Sequence, residues 1–134
     1  QLANPKKAYS VDPALASVNS LSFSKDLGRK LENYVYLHLR RSFKEIQYFQ
    51  SKDSECDFVI KWNEEIIGAL QVCWDLNSDN LQRELKGLKT ALEETQAPKG
   101  VLLTWNQEDL LDGIAVMPVW KWMIQPAKEY FGLG

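Results

Sequence analysis

Two short stretches constrain this chain more than any others. Glu55-Cys56-Asp57-Phe58-Val59-Ile60 opens an apolar strand with acidic residues, and Leu70-Gln71-Val72-Cys73 carries polar side chains at i and i+2 of a second strand. Side chains alternate along a strand, so Asp57, Val59 and Lys61 should share one face, with Cys56, Phe58, Ile60 and Trp62 on the other. In the second strand Ile67, Ala69, Gln71, Cys73 and Asp75 should share a face. If the hairpin loop has odd length and is centred on Glu64, Asp57 stands directly opposite Gln71 on the same face. A one-residue slip would separate them. The same register places Cys56 and Cys73 on opposite faces, which argues against a disulfide.

A chain of 134 residues holds one domain, residues 1–134, with enough length for a real core. Sixteen Lys and Arg against eighteen Asp and Glu leave a net charge of -2. A dedicated nucleic-acid binder usually carries a clear basic excess, so the balance counts against an independent DNA-binding role without excluding a local basic face. No apolar run approaches the roughly 20 residues that span a bilayer, and the amino end lacks a signal-peptide pattern. The two cysteines form no CxxC and no Cys/His cluster, which makes zinc improbable and a reducing, cytoplasmic setting the best fit. The chain opens without Met, as an excised piece of a longer protein would.

Along the chain, the first 22 residues read as an irregular arm with a short strand at Ala8–Val11 and a turn at Asp12-Pro13. From Ser24 to about Phe43, Leu27, Leu31, Val35 and Leu39 recur at i+4, predicting a helix with Ser22 or Ser24 as its cap. Three strands should follow, at Glu45–Gln50, Asp57–Trp62 and Glu65–Trp74, the last two joined by a turn at Asn63-Glu64. Asn77–Thr95 reads as a second amphipathic helix with Leu81, Leu85, Leu88 and Leu92 inward. Strands at Gly100–Thr104 and Ile114–Val119 and a short helix from Trp120, broken by Pro126, complete the order. Helix, three strands, helix, strand predicts an α/β fold with a mixed sheet flanked by helices.

Several side chains suggest chemistry. Asp57 suits a first oxygen ligand for Mg²⁺ or Mn²⁺, which would acidify a bound water. Glu32 on the first helix could lean over the sheet as a second ligand, and Gln71 could add a neutral carbonyl oxygen. A thiol at Cys73 cannot steady a developing negative charge. The alternative on spacing alone is a solvated strand end at Asp57 and a helix-surface charge at Glu32. Arg40, Arg41 and Lys44 could hold a phosphate backbone or simply end a helix favourably. Trp120-Lys121-Trp122 could stack on bases or serve as core. His38, the only histidine, has no Ser or Cys nucleophile in a recognisable motif and reads as structural. No GxxxxGK[ST] loop is present, so this chain offers no ATP site of that kind.

Four stretches together resemble the uncharacterised carboxyl-terminal domains of bacterial and archaeal AAA-type P-loop ATPases, which look like PD-(D/E)XK nucleases. They are Asn4-Pro5-Lys6-Lys7 leading into Tyr9-Ser10-Val11-Asp12, then Gly28-Arg29-Lys30-Leu31-Glu32-Asn33, then Glu55 to Ile60, then Pro118-Val119-Trp120-Lys121-Trp122. The resemblance implies a PD-(D/E)XK nuclease-like fold and a P-loop ATPase domain preceding this one. It also implies an acidic metal site at Glu32 and Asp57, with catalytic positions Asp57, Gln71 and Cys73. The family's Glu-x-Lys falls on Gln71-Val72-Cys73, which departs from it at both functional positions. A lysine migrated from the second helix, Lys86 or Lys89, could replace the missing one. These residues imply an accessory, catalytically degenerate nuclease-like domain that contacts nucleic acid or its own ATPase domain. The alternatives are an active Mg/Mn-dependent endonuclease and a protein-interaction or oligomerisation module.

Overall fold

The computed structural model describes residues 13–133. A long helix, α1 (Pro13–Arg40), precedes a meander of β1 (Glu45–Gln50), β2 (Glu55–Trp62) and β3 (Glu65–Val72). Helix α2 (Leu81–Thr95) then crosses to β4 (Gly100–Thr104). The hairpin β5 (Asp109–Leu111) and β6 (Ile114–Pro118) and two single-turn helices, α3 (Val119–Trp122) and α4 (Ala127–Tyr130), complete the order. The six strands form one mixed sheet in the order β1-β2-β3-β4-β6-β5. β3, β4 and β6 run parallel to one another, whereas β1, β2 and β5 pair antiparallel with their neighbours.

The sheet separates two cores. On one face Leu31, Val35 and Leu39 of α1 pack with Phe58, Ile60, Leu70, Val101, Leu103 and Trp122. On the other, Leu85, Leu88 and Ala91 of α2 pack with Val59, Ala69, Leu102 and Val116. Each fully buried leucine in these layers stabilises the fold by about 1.5–3 kcal/mol, which is what holds helices to both faces of the sheet. Among the described residues no helix is long and apolar enough to cross a membrane.

Several expectations shift. The first helix begins at Pro13, so positions 22 and 24 lie inside it and not at its start. Proline suits a first helical turn, and no residue between it and Gly28 breaks a helix. The predicted strand at Ala8–Val11 lies outside the described residues. The second helix starts at Leu81, four residues late, because the Asn77 Oδ1 accepts from the backbone of Asp79 and Asn80, and Asn80 Oδ1 accepts from Asn77 N–H. Such side-chain bonds offer the backbone an alternative to helix. The predicted Glu65–Trp74 strand ends at Val72, and β5 was not expected, although Asp112-Gly113, at φ of 51° and 80°, is a hairpin signal.

The central hairpin reaches its expected register by an unexpected route. The turn has two residues, Asn63 and Glu64, both at positive φ (50° and 70°), so Trp62 pairs with Glu65. An extra residue, Ile67, then shifts the ladder to Ile60–Gly68, Val59–Ala69 and Phe58–Leu70, which aims Asp57 at Gln71. A second irregularity sits in β2, where Asp57 and Phe58 together oppose Tyr48. This bulge overturns the expected alternation: Cys56 packs with Val59 against α2 and not with Phe58 and Ile60. Cys73 also packs against that α2-side core, so the two cysteines are not on opposite faces, yet both are free thiols.

A left-handed turn position is costly for a side-chain-bearing residue such as Glu64 and favourable for glycine. Glu64→Gly should therefore raise stability by about 0.5–1 kcal/mol, measured by urea denaturation.

Candidate functional site

The bulge at Asp57 takes its backbone out of the β1–β2 ladder and turns its carboxyl toward the β3 end. There Asp57 and Gln71 clasp each other. The Asp57 N–H donates to Gln71 Oε1 at 2.9 Å, and the Val72 N–H donates to Asp57 Oδ2 at 2.8 Å. Gln71 is only 4% exposed, and its Nε2 donates to the Glu55 carbonyl at 2.9 Å and to the Glu84 carbonyl at 3.2 Å. One carboxamide thus ties β3 to the start of β2 and to α2. Such an approach requires Gly87, because a Cβ there would overlap the Glu55 carbonyl oxygen and lie 2.6 Å from Gln71 Nε2.

Beside the clasp opens a cleft of about 380 Å³, lined among others by Lys52, Asp53, Glu55, Asp57, Gln71, Arg83 and Glu84. Burial pushes the Asp57 carboxyl up to about 7; the Val72 N–H opposes this, and the charges of Glu32, Glu84 and Glu55 add to it. Glu84 is also held above the usual carboxylate range, chiefly by burial, with Arg83 beside it at 3.3 Å pulling the other way. Sequence reading missed Glu84. It lies one residue from the inward Leu85 of an amphipathic helix, the only signal that could have placed it near the sheet.

The other expected residues scatter. Glu32 borders a neighbouring depression with Arg29, Asn33, Tyr36 and Phe58, and burial raises its pKa. It acts on Asp57 as a nearby charge and does not line the Asp57 cleft. Cys73 packs against the α2-side core, contacts the Asp75 carbonyl and Asn80, and has its thiol pushed up to about 12, mainly by burial. It does not line the cleft. Lys86 pairs with Asp53 at 2.7 Å on the cleft rim, and Lys89 pairs with Asp112. Neither replaces the missing lysine; the cations that line the cleft are Lys52 and Arg83. Arg40 spends its guanidinium on the Lys44 carbonyl at 2.6 Å, closing the end of α1. Glu45, next to Lys44, pairs with Lys61 near the hairpin turn, so Arg40, Arg41 and Lys44 stand at the opposite end of the sheet from Asp57.

His38 is structural: its Nε2 bonds the Gln125 carbonyl at 3.0 Å and its ring meets Trp122 edge-on. Trp122 is core at 1% exposure, whereas Trp120 is exposed. A divalent ion takes several oxygen ligands. Among the described residues no three acidic, His or Cys side chains converge as a metal site. One Asp57 oxygen and the Gln71 carbonyl oxygen are already engaged by backbone N–H groups. The side chains as placed do not form a ligand set for Mg²⁺ or Mn²⁺.

An acid whose folded pKa is raised binds its proton more tightly in the folded than in the unfolded state. Stability from Asp57 is therefore complete below about pH 4 and lost as pH rises through about 7. Asp57→Asn, which can still accept from Val72 N–H, should match the wild type near pH 4 and exceed it at pH 8 by about 1–3 kcal/mol, read from urea denaturation at both pH values. Gly87→Ala should lose about 1–3 kcal/mol at either pH, because the overlap it creates is with backbone.

Comparison with known proteins gives the family. Residues 27–122 match the model of a domain of unknown function, DUF4143. The chain is 39% identical over 120 residues to the uncharacterized protein MJ1544 of Methanocaldococcus jannaschii, an alignment covering 78% of this chain and 26% of that protein. It thus spans about a quarter of that relative's length. No solved structure matches the chain. From a family match that takes in the second half of α1, the clasp and the closing tryptophans alike, the chain belongs to the DUF4143 family.

Proposed function

We propose that this domain is a PD-(D/E)XK nuclease-like accessory module of a P-loop ATPase, degenerate as a nuclease, whose work is contact with its own ATPase domain or with nucleic acid. The observation that carries this reading is the use of Gln71. In the resembled nucleases a carboxylate at this position would face a metal. Here a carboxamide is committed to three backbone groups, on β2 and α2, and serves as a structural clasp. Two residues on, Cys73 is held as a neutral, packed thiol away from the cleft.

The order of helix, three-strand meander, helix and parallel strand supports the nuclease-like part of the reading. The ATPase part rests on the resemblance and on the relative's length, three quarters of which lies beyond the region this chain matches. A hydrolytic centre at the cleft would need a cation to balance the attacking hydroxide and the phosphate. Arg83 is the cleft cation on α2, and it is paired with Glu84.

The test is Mn²⁺ titration by calorimetry at millimolar metal, on the chain and on Asp57→Ala, followed by cleavage assays on single- and double-stranded DNA and RNA. The expected result is no cleavage that depends on Asp57. Cleavage that requires Mn²⁺ and disappears in Asp57→Ala would overturn the degenerate reading and favour an active endonuclease.

A further inference from the structure

Helix α1 carries two apolar stripes, and only one of them is covered. Leu31, Val35 and Leu39 turn into the sheet. About a third of a turn around the helix runs a second stripe, Phe23, Leu27, Lys30, Tyr34, Leu37 and Arg41, whose spacings alternate between four and three. That alternation is the heptad pattern of a helix–helix seam. Phe23, Tyr34 and Leu37 are 43%, 58% and 49% exposed, and among the described residues no apolar member of the stripe packs into either core. All six residues lie on one continuous helix, so they form a single surface about 27 Å long. Large apolar side chains aligned in water mark an interaction surface more than scattered ones do.

The charges on the stripe decide both the partner and its direction. In a second α1 laid alongside in the same direction, each side chain meets its own copy. Lys30 then opposes Lys30 and Arg41 opposes Arg41, which is repulsive. In a second α1 laid in the reverse direction, Leu27 meets Leu37, Lys30 meets Tyr34 and Phe23 meets Arg41. Both cations then face aromatic rings, an attractive arrangement. Each contact occurs twice about a twofold axis, so the stripe is its own complement, as an isologous dimer requires.

The flank repeats the match. Asp26, Asn33 and Arg40 are exposed, recur at intervals of seven and border the stripe on one side. Reversal sets Asp26 against Arg40 and Asn33 against its own copy. Arg40 closes its helix through Nη1 alone, which leaves Nε and Nη2 to reach that carboxylate. The competing pair of Asp26 with Arg29, 3.7 Å between exposed groups, is weak enough to yield. Packing on the sheet already holds this helix in shape, so pairing costs little further ordering.

We infer that two copies of this chain associate by antiparallel pairing of their α1 helices along Phe23 to Arg41. The inference goes beyond the nuclease-like reading above and does not rest on it.

The test is sedimentation equilibrium of the whole chain at loadings from about 5 to 500 µM, the range suited to a small interface. A monomer–dimer equilibrium is expected. Leu37→Glu should weaken it at least about tenfold, whereas Leu110→Glu, at an exposed position on β5, should leave it unchanged. Disulfide trapping in a Cys73→Ser background reads the register. A mixture of Leu27→Cys and Leu37→Cys chains should form a disulfide dimer. Neither alone should do so, because equivalent positions then stand about 15 Å apart. A chain that stays monomeric throughout, as when the stripe is covered by another segment of a longer protein, overturns the inference. So does a dimer indifferent to Leu37→Glu, or trapping of either cysteine variant alone as readily as the mixture. Trapping puts no charge into the seam, so it decides the question even if Leu37→Glu fails to fold.

Discussion

The Gln71 carboxamide is the interaction on which the rest of the site depends. At the bulge in β2 Asp57 drops out of the ladder with β1, which resumes at Cys56 and Glu55. Gln71 accepts from the Asp57 N–H, donates to the Glu55 carbonyl, and with its remaining hydrogen also bonds the Glu84 carbonyl on α2. A buried polar group left without a partner costs about 1–3 kcal/mol, so a buried carboxamide that bonds three backbone groups is hard to exchange. Its reach depends on Gly87, where α2 lies so near the start of β2 that a Cβ would overlap the Glu55 carbonyl oxygen. Helix, bulge and strand end are therefore one coupled unit.

This coupling explains the electrostatics of the cleft. Holding α2 against β2 brings Glu84 beside Asp57 and Glu55, with burial keeping Asp57 and Glu84 above the usual carboxylate range. Such an arrangement is unfavourable in the isolated domain at neutral pH and is relieved by a proton or by incoming positive charge. Folds commonly keep strain of this sort at functional surfaces. The basic end of α1 points elsewhere, and Arg40 is spent on closing its own helix.

Asp57 was expected opposite Gln71 through an odd loop centred on Glu64. The structure brings them together through a two-residue turn followed by an extra residue at Ile67. Two local departures compensated, because the apolar pattern of Phe58, Ile60 and Leu70 fixes which face each strand buries, whatever the turn does. The bulge at Asp57 had no such guard. It moved Cys56 to the α2 side and left the pattern of hydrophobic residues looking continuous, since both faces of a central strand are buried.

By itself the sequence determined the order of the two long helices and of the strands β1 to β4 and β6, the inward faces of those helices, and Asp57 and Gln71 as facing positions in one register of the central hairpin. Each rests on periodicity or on short-range pairing, which a linear pattern records. Only the tertiary structure decided that Glu84 enters the cleft while Glu32 lines a separate depression, that Cys73 turns into the α2-side core, and that Lys86 and Lys89 go to surface partners. It alone set Trp105 against Trp74. These placements depend on how closely α2 approaches β2 and on where strand ends meet across the sheet, distances between residues far apart in the chain that no local spacing encodes.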